Sequence, residues 1–293
     1  MGTKRESAHA QSRFSLVQAG AKNLAMELDN HERHDDIVVF TLHKSASMFI
    51  HRQCELLCRL AGIEYHSPNV PGSGMEARRL LLDQDLWRLR HGCFAPVRFF
   101  VDIPQVDDYR IILHLRDPRD VLVSMFYSYC FIHAGEVEAN TGYRREVAAK
   151  GIDAFVLAKA SESSTEMRGD YGTGGHVEDL IGNLPKRYAD YVHRLLGRPN
   201  VLLVKYEEMV TDYRSWLEKF ITPFPIRDKP ALIDQLAAQA PTLFPRRSSD
   251  AMTHIRHVTP GDYKAKLQLS TIRQLDEIFA GPLEALGYPK HAS

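Results

Sequence analysis

No stretch of the 293-residue chain stays apolar for the roughly 20 residues that a membrane-spanning helix needs. Its opening, MGTKRESAHAQSR, also lacks the apolar core of a secretory signal, so a cytoplasmic location is expected. Cysteine is sparse. Cys54, Cys58, Cys93 and Cys130 are too few and too scattered for a disulfide framework or a zinc site. They read as reduced core thiols, with Cys54 and Cys58 on one face of a helix. Net charge is missing as well: 37 Lys and Arg cancel 37 Asp and Glu. No global field draws the chain to nucleic acid or an anionic membrane, and any anion site has to be assembled locally. A metal centre is not expected either. Ligation needs three or four converging side chains, and among 14 histidines only the pair in HERH at 31–34 stands close together. Internal repeats and low-complexity tracts are absent.

What is present is an ordinary globular balance, 44% hydrophobic and 25% charged residues. Residues 1–34 are polar and read as an N-terminal arm; 35–290 read as a single α/β domain. DIVVFTL (36–42), RIILHL (110–115) and NVLLVKYEE (200–208) are short, β-branched apolar runs, the pattern of strands covered on both faces. After the first, Ile50, Cys54, Leu57, Cys58 and Ala61 keep helical spacing, and Gly62 closes the helix. After the second, Asp117 is an N-cap, with Pro118 in the first turn and Asp120 three residues past the cap. A third helix is expected around Tyr213–Ile221, and a last amphipathic one over 270–287. Alternating strands and helices predict a doubly wound, mostly parallel sheet flanked by helices. Ligands of such sheets bind beyond the carboxyl ends of the strands. The polar stretch 161–175 reads equally well as a lid over that crevice or as an inert insertion.

Two strand-to-helix junctions carry chemistry. In HKSAS (43–47), small residues let backbone N–H groups close around a phosphate, while Lys44 adds a charge and Ser45 and Ser47 add hydroxyls. The loop is P-loop-like in layout but lacks the glycines and the GK[ST] end of the ATP-binding loop. In LRDPRDVLVSMFYSY (115–129), Arg116 stands at a strand's carboxyl end and Ser124 two turns into the next helix, a second cation–hydroxyl pair for an anion.

Together these segments resemble the donor-binding signatures of the sulfotransferases that use 3′-phosphoadenosine-5′-phosphosulfate (PAPS) and release the bisphosphate PAP. The family's PKSGTTW is similar to His43-Lys44-Ser45-Ala46-Ser47-Met48-Phe49, and its R[ND]PxDxxVSxY to RDPRDVLVSMFY with Arg116 and Ser124 in register. Its RKGxxGDWK is similar to the run from Arg256 and His257 to Lys264, its strand ending YED to Tyr206-Glu207-Glu208, and its TxF to Thr242-Leu243-Phe244. The resemblance runs from about residue 36 to 285. It implies that Lys44 contacts the 5′-phosphosulfate and that the Ser45–Ser47 loop cradles the 5′-phosphate. Arg116, Ser124 and Arg256 would hold the 3′-phosphate. Phe49 would stack on adenine where the family has Trp, and Tyr206 would meet the adenine edge. The implied activity is transfer of a sulfuryl group from PAPS to a hydroxyl or amine of a small-molecule, sugar or lipid-linked acceptor, with PAPS as co-substrate and no metal.

Some positions depart from the family pattern. Ala46 replaces a glycine, Met48 a threonine, and His257-Val258 a Lys-Gly pair. The family's KTHxP histidine has no counterpart in Gly92-Cys93-Phe94-Ala95-Pro96. His66, in Glu64-Tyr65-His66, is the first candidate for the catalytic base; His91 and His133 are the others. Arg98 is a candidate cation for an anionic acceptor. The rival readings are a P-loop-type nucleotide kinase, which the missing GK[ST] disfavours, and a non-catalytic PAP-binding protein. No motif speaks to the acceptor or to the oligomeric state.

Overall fold

A computed structural model of the chain describes residues 36–68, 85, 87, 91–128, 141–162, 184–244 and 259–291. The polar arm at 1–34, nearly all of the 161–175 stretch, Cys130, His133, Arg256 and His257 lie outside the described residues. Five strands form one sheet: β1 (Ile37–Phe40), β2 (Tyr65–His66), β3 (Cys93–Val97), β4 (Arg110–Leu115) and β5 (Val201–Lys205). Their order is β2-β3-β1-β4-β5, and every pair is parallel.

Both faces of the sheet are covered, which is why its strands read as unbroken apolar runs. Val38 and Phe40 of β1 share one core with Ile111, Leu113 and Leu115 of β4. Ile37 and Val39 point the other way and share a second core with Ile112, the period-two alternation of a strand. α1 (Ser47–Ala61) packs on the second face through Ile50, Cys54, Leu57 and Cys58. α2 (Pro118–Tyr127) packs on the first through Val121, Leu122, Met125 and Phe126. Each fully buried Leu, Ile or Val contributes roughly 1.5–3 kcal/mol. α3 (Thr141–Ser161) and α4 (Leu184–Arg194) thicken the α2 layer. α5 (Tyr206–Thr211), α6 (Tyr213–Phe220) and α7 (Lys229–Ala237) thicken the α1 layer, ahead of the short α8 (Ala240–Leu243).

The helix boundaries follow local chemistry. α1 stops at Gly62, whose left-handed φ of 72° suits glycine. α2 starts on Asp117, whose carboxylate accepts from the Arg119 N–H, with Pro118 in the first turn. The expected single tail helix is two: after α9 (Tyr263–Lys266) come α10 (Leu269–Ile278) and α11 (Ala280–Ala285), parted at Phe279. Pro282 has no N–H to give the Ile278 carbonyl, so the helix ends there and restarts.

The chain steps from β1 outward to β2, returns to β3 beside β1, then crosses to β4 on the other side of β1. The helix after β1 and the helix after β4 therefore leave on opposite faces, the arrangement in which a doubly wound sheet has its ligand crevice between the strand ends. Both junctions singled out in the sequence stand at that crevice.

Candidate active site

The loop between β1 and α1 is built on two unusual residues. Lys44 and Ala46 both have left-handed backbones, with φ of 64° and 59°. An L-residue pays roughly 1–2 kcal/mol for that conformation, and such strain persists where surrounding structure and function require it. Alternating handedness curls a loop so that its N–H groups point to one side, a concavity suited to an anion. The first turn of α1 adds amides that no helix carbonyl can reach.

Arg116, directly after β4, reaches across to this loop, and its Nη1 donates to the Lys44 carbonyl at 2.9 Å. The guanidinium lies over the Tyr206 ring, 4.2 Å from its centre, so the strand-end tyrosine of the third junction joins the other two. Burial works against the Arg116 charge. The Tyr206, Asp120 and Glu207 oxygens more than offset it, and its pKa sits above the ordinary arginine value. Lys44 has no such support. Burial, then Arg116 and Arg98, pull its pKa down to about 8. Its Nζ donates to Ser128 Oγ at 2.8 Å.

Among the described residues, Ser45 Oγ and Arg116 Nε are buried donors of this cluster that find no protein partner. A buried donor left unmatched costs about 1–3 kcal/mol, which a bound phosphate would recover. Ser47 is buried in the first turn of α1, while Met48 is exposed beside Arg98, whose Nη2 lies 3.3 Å from the Met48 sulfur. Ser124 is half-buried on α2, one turn before Ser128 and on the same face.

An aromatic nest adjoins the loop. Phe49 and Phe244, 195 positions apart in the chain, meet edge-on with ring centres 5.6 Å apart. Tyr213 touches both, at 6.0 and 5.2 Å. Thr242, two residues before Phe244, is exposed.

The segment that begins with Arg256 and His257 is described only from Thr259 onward. That part docks on α2: the Asp120 carboxylate accepts from the N–H groups of Gly261 at 2.7 Å and Tyr263 at 3.0 Å. Asp120 therefore anchors a distant turn instead of capping its own helix. Beside it, the Glu207 carboxylate accepts from the Asp117 N–H and the Tyr288 hydroxyl, tying β5 and the tail to the same helix start.

Neither described histidine candidate reaches Lys44, and the expected role of His66 as base does not fit its position. His66 pairs in register with Phe94, roughly 10 Å short of the carboxyl end of β3. It is buried, and its Nε2–H donates to the His91 carbonyl at 2.8 Å. His91 in turn donates from Nδ1 to Asp36 at 2.9 Å, and the other Asp36 oxygen takes the Gly92 N–H. Both histidines tie β2 to the residues that lead into β1 and β3. Gly92 is indispensable there, because a Cβ would stand 2.3 Å from the Glu64 carbonyl oxygen. Among the described residues, no group of three or more His, Cys, Asp or Glu could hold a metal ion. Nor is any described helix long and apolar enough to cross a membrane.

A sulfotransferase domain model matches residues 105–287, more than half of the chain. The chain belongs to the sulfotransferase family. The mouse sulfotransferase SULT7A1, solved with PAP, is similar at 19% identity and a TM-score of 0.58, over 92% of this chain and 93% of that one. At that identity the similarity shows the fold. A retinol dehydratase solved with retinol and PAP matches at 14% identity and a TM-score of 0.47, over 86% of this chain and 82% of that one. No curated protein matches the chain closely enough to count as a relative.

The sulfotransferase match begins after the HKSAS loop; the Arg116-to-Lys44 and Lys44-to-Ser128 hydrogen bonds, with the pairing of β1 and β4, tie the loop to the matched residues. Ser128 was missed in the sequence, although its spacing of four from Ser124 puts it on the same helix face. Tyr213 carried no signal at all, since only folding brings it to Phe49 and Phe244.

Proposed function

We propose that this sulfotransferase moves a sulfuryl group from PAPS to a hydroxyl or amine of an acceptor and releases PAP. The observation that carries the proposal is the meeting of Lys44, Ser45 and Arg116 at the strand ends, with the Ser45 hydroxyl and the Arg116 Nε–H buried and unmatched among the described residues. Cations and donors concentrated in an otherwise neutral chain suit a small polyanion.

In this reading the Ser45–Ser47 loop and the start of α1 hold the 5′-phosphate. Arg116 and Ser124, with Arg256 and His257 beyond the described residues, hold the 3′-phosphate. Phe49, Phe244, Tyr206 and Thr242 receive the adenine. Met48, exposed beside Arg98, belongs with the Ser45–Ser47 loop on the donor side. The acceptor oxygen or nitrogen bonds to sulfur as the bond from sulfur to the phosphate oxygen breaks. The acceptor's proton passes to water or to the departing PAP phosphate, on which the electron pair of the broken bond stays. Lys44 is placed to neutralise the charge that grows there, the kind of preorganised electrostatic help that dominates phosphoryl transfer.

A kinase would have no use for the arginine–serine pair, because ATP has no 3′-phosphate. Calorimetry tests this directly. Wild-type protein is expected to bind PAP more tightly than AMP or ATP, and Arg116→Ala to lose that preference. Equal binding of PAP and ATP by the wild type counts against the proposal.

A further inference from the structure

α4 lies across the two junctions and reaches both with phenols. Tyr188 and Tyr191 are three residues apart, so they share one helix face, and both are 0% exposed. The Tyr188 hydroxyl donates to the Arg116 carbonyl at 2.5 Å. The Tyr191 hydroxyl donates to the Thr41 carbonyl at 2.8 Å. These carbonyls belong to the first residues past β4 and past β1. A buried carbonyl beyond the end of a ladder needs a donor from elsewhere, and one helix supplies both.

The two bonds act on different parts of the site. Arg116 is held at its carbonyl by Tyr188 and at its Nη1 by the Lys44 carbonyl. Any shift of the Arg116 backbone swings the guanidinium. Thr41 leads through Leu42 into the phosphate loop, where the Ser45 N–H closes a turn onto the Leu42 carbonyl at 3.3 Å. Any shift of Thr41 moves the loop as a body. Burial keeps both phenols protonated, with their pKa values far above neutral, so they stay donors. The rings are held independently of the hydroxyls, Tyr188 against Phe279 and Tyr191 against Phe40.

We infer that Tyr188 and Tyr191 are positioning residues that set the two phosphate grips of the donor site separately. Tyr188 governs the 3′-phosphate grip through Arg116, and Tyr191 governs the 5′-phosphate grip through the Lys44 loop. The inference rests on the donor-site reading above.

The test is calorimetry of PAP and of AMP, which lacks the 3′-phosphate, on wild type, Tyr188→Phe and Tyr191→Phe. Tyr188→Phe is expected to weaken PAP about tenfold, the scale of one buried hydrogen bond, and to weaken AMP by a smaller factor, because Arg116 meets the Lys44 loop through one carbonyl. Tyr191→Phe is expected to weaken both nucleotides by a similar factor. The ratio of the two affinities is read within each variant, so it does not depend on how much of the protein is folded. If both variants weaken both nucleotides alike, or if neither changes PAP, the inference is overturned. Wild-type protein that binds PAP no better than AMP removes the donor-site reading, and this inference with it.

Discussion

Lys44 is charged in a place that disfavours charge, and that has a readable consequence. Its pKa is drawn down to about 8 by burial and by Arg116 and Arg98, so the free protein loses this proton well below the ordinary lysine range. An anionic donor would favour the charged form and raise the pKa again, making binding and protonation linked. PAP affinity should therefore be flat from pH 7 to about 8 and fall with rising pH above that, by up to about tenfold per unit. Calorimetry from neutral to alkaline pH checks this. Lys44→Arg, which does not titrate in that range, should remove the slope. Ala46 offers a second test at the same scale. Its left-handed backbone costs roughly 1–2 kcal/mol, partly recouped because glycine loses more entropy on folding. Ala46→Gly should stabilise the protein by about 0.5–1 kcal/mol, seen as a melting temperature about 2 °C higher. A lower melting temperature would show that the alanine side chain makes contacts worth more than the strain.

The start of α2 is the element that gathers the chain. Arg119 is 0% exposed and bonds Asp117 and Asp276, both at 2.6 Å, and the Pro289 carbonyl at 3.0 Å. Its guanidinium also lies 4.2 Å from the Tyr263 ring centre. Removing one member of a buried ionic group leaves the others uncompensated, at a cost of about 3–5 kcal/mol. Arg119→Ala should lose that much in urea denaturation; a loss below about 1 kcal/mol would mean that water already screens the group. Elements of this kind were unevenly readable from sequence. β1, β4 and β5 announced themselves as apolar runs because both faces are buried. β3 did not, since Pro96, its fourth residue, argues against a strand. The helical spacing over 270–287 was real, but Pro282 outweighed it.

Across the whole molecule, a parallel sheet with its reversal beside β1 brings the strand-end motifs to one crevice, and the sequence order of those motifs made that foreseeable. The placement of the histidines was not, because which end of a strand a residue occupies depends on register, and register is set by packing. His114 shows what the core can hide. It is 0% exposed in β4, with Nδ1 3.5 Å from Thr41 Oγ1 and, among the described residues, no partner for Nε2. Burial lowers its pKa to about 3. The unfolded chain takes up this proton near pH 6.5 and the folded chain does not. Stability should therefore fall as pH drops from about 6.5 towards 3, by about 1.4 kcal/mol per unit. Acid titrations of wild type and His114→Leu check this: the variant should show the shallower acid limb, and matching limbs would rule out His114 as the cause.

The most direct measurement is a transfer assay offering radiolabelled PAPS and γ-labelled ATP side by side to a panel of hydroxyl and amine acceptors. Label should pass to an acceptor from PAPS alone, and Lys44→Ala should slow that transfer by on the order of 100-fold or more, the usual loss when a group that stabilises developing charge is removed. Label moving from ATP, or transfer from PAPS undiminished in Lys44→Ala, would contradict the account.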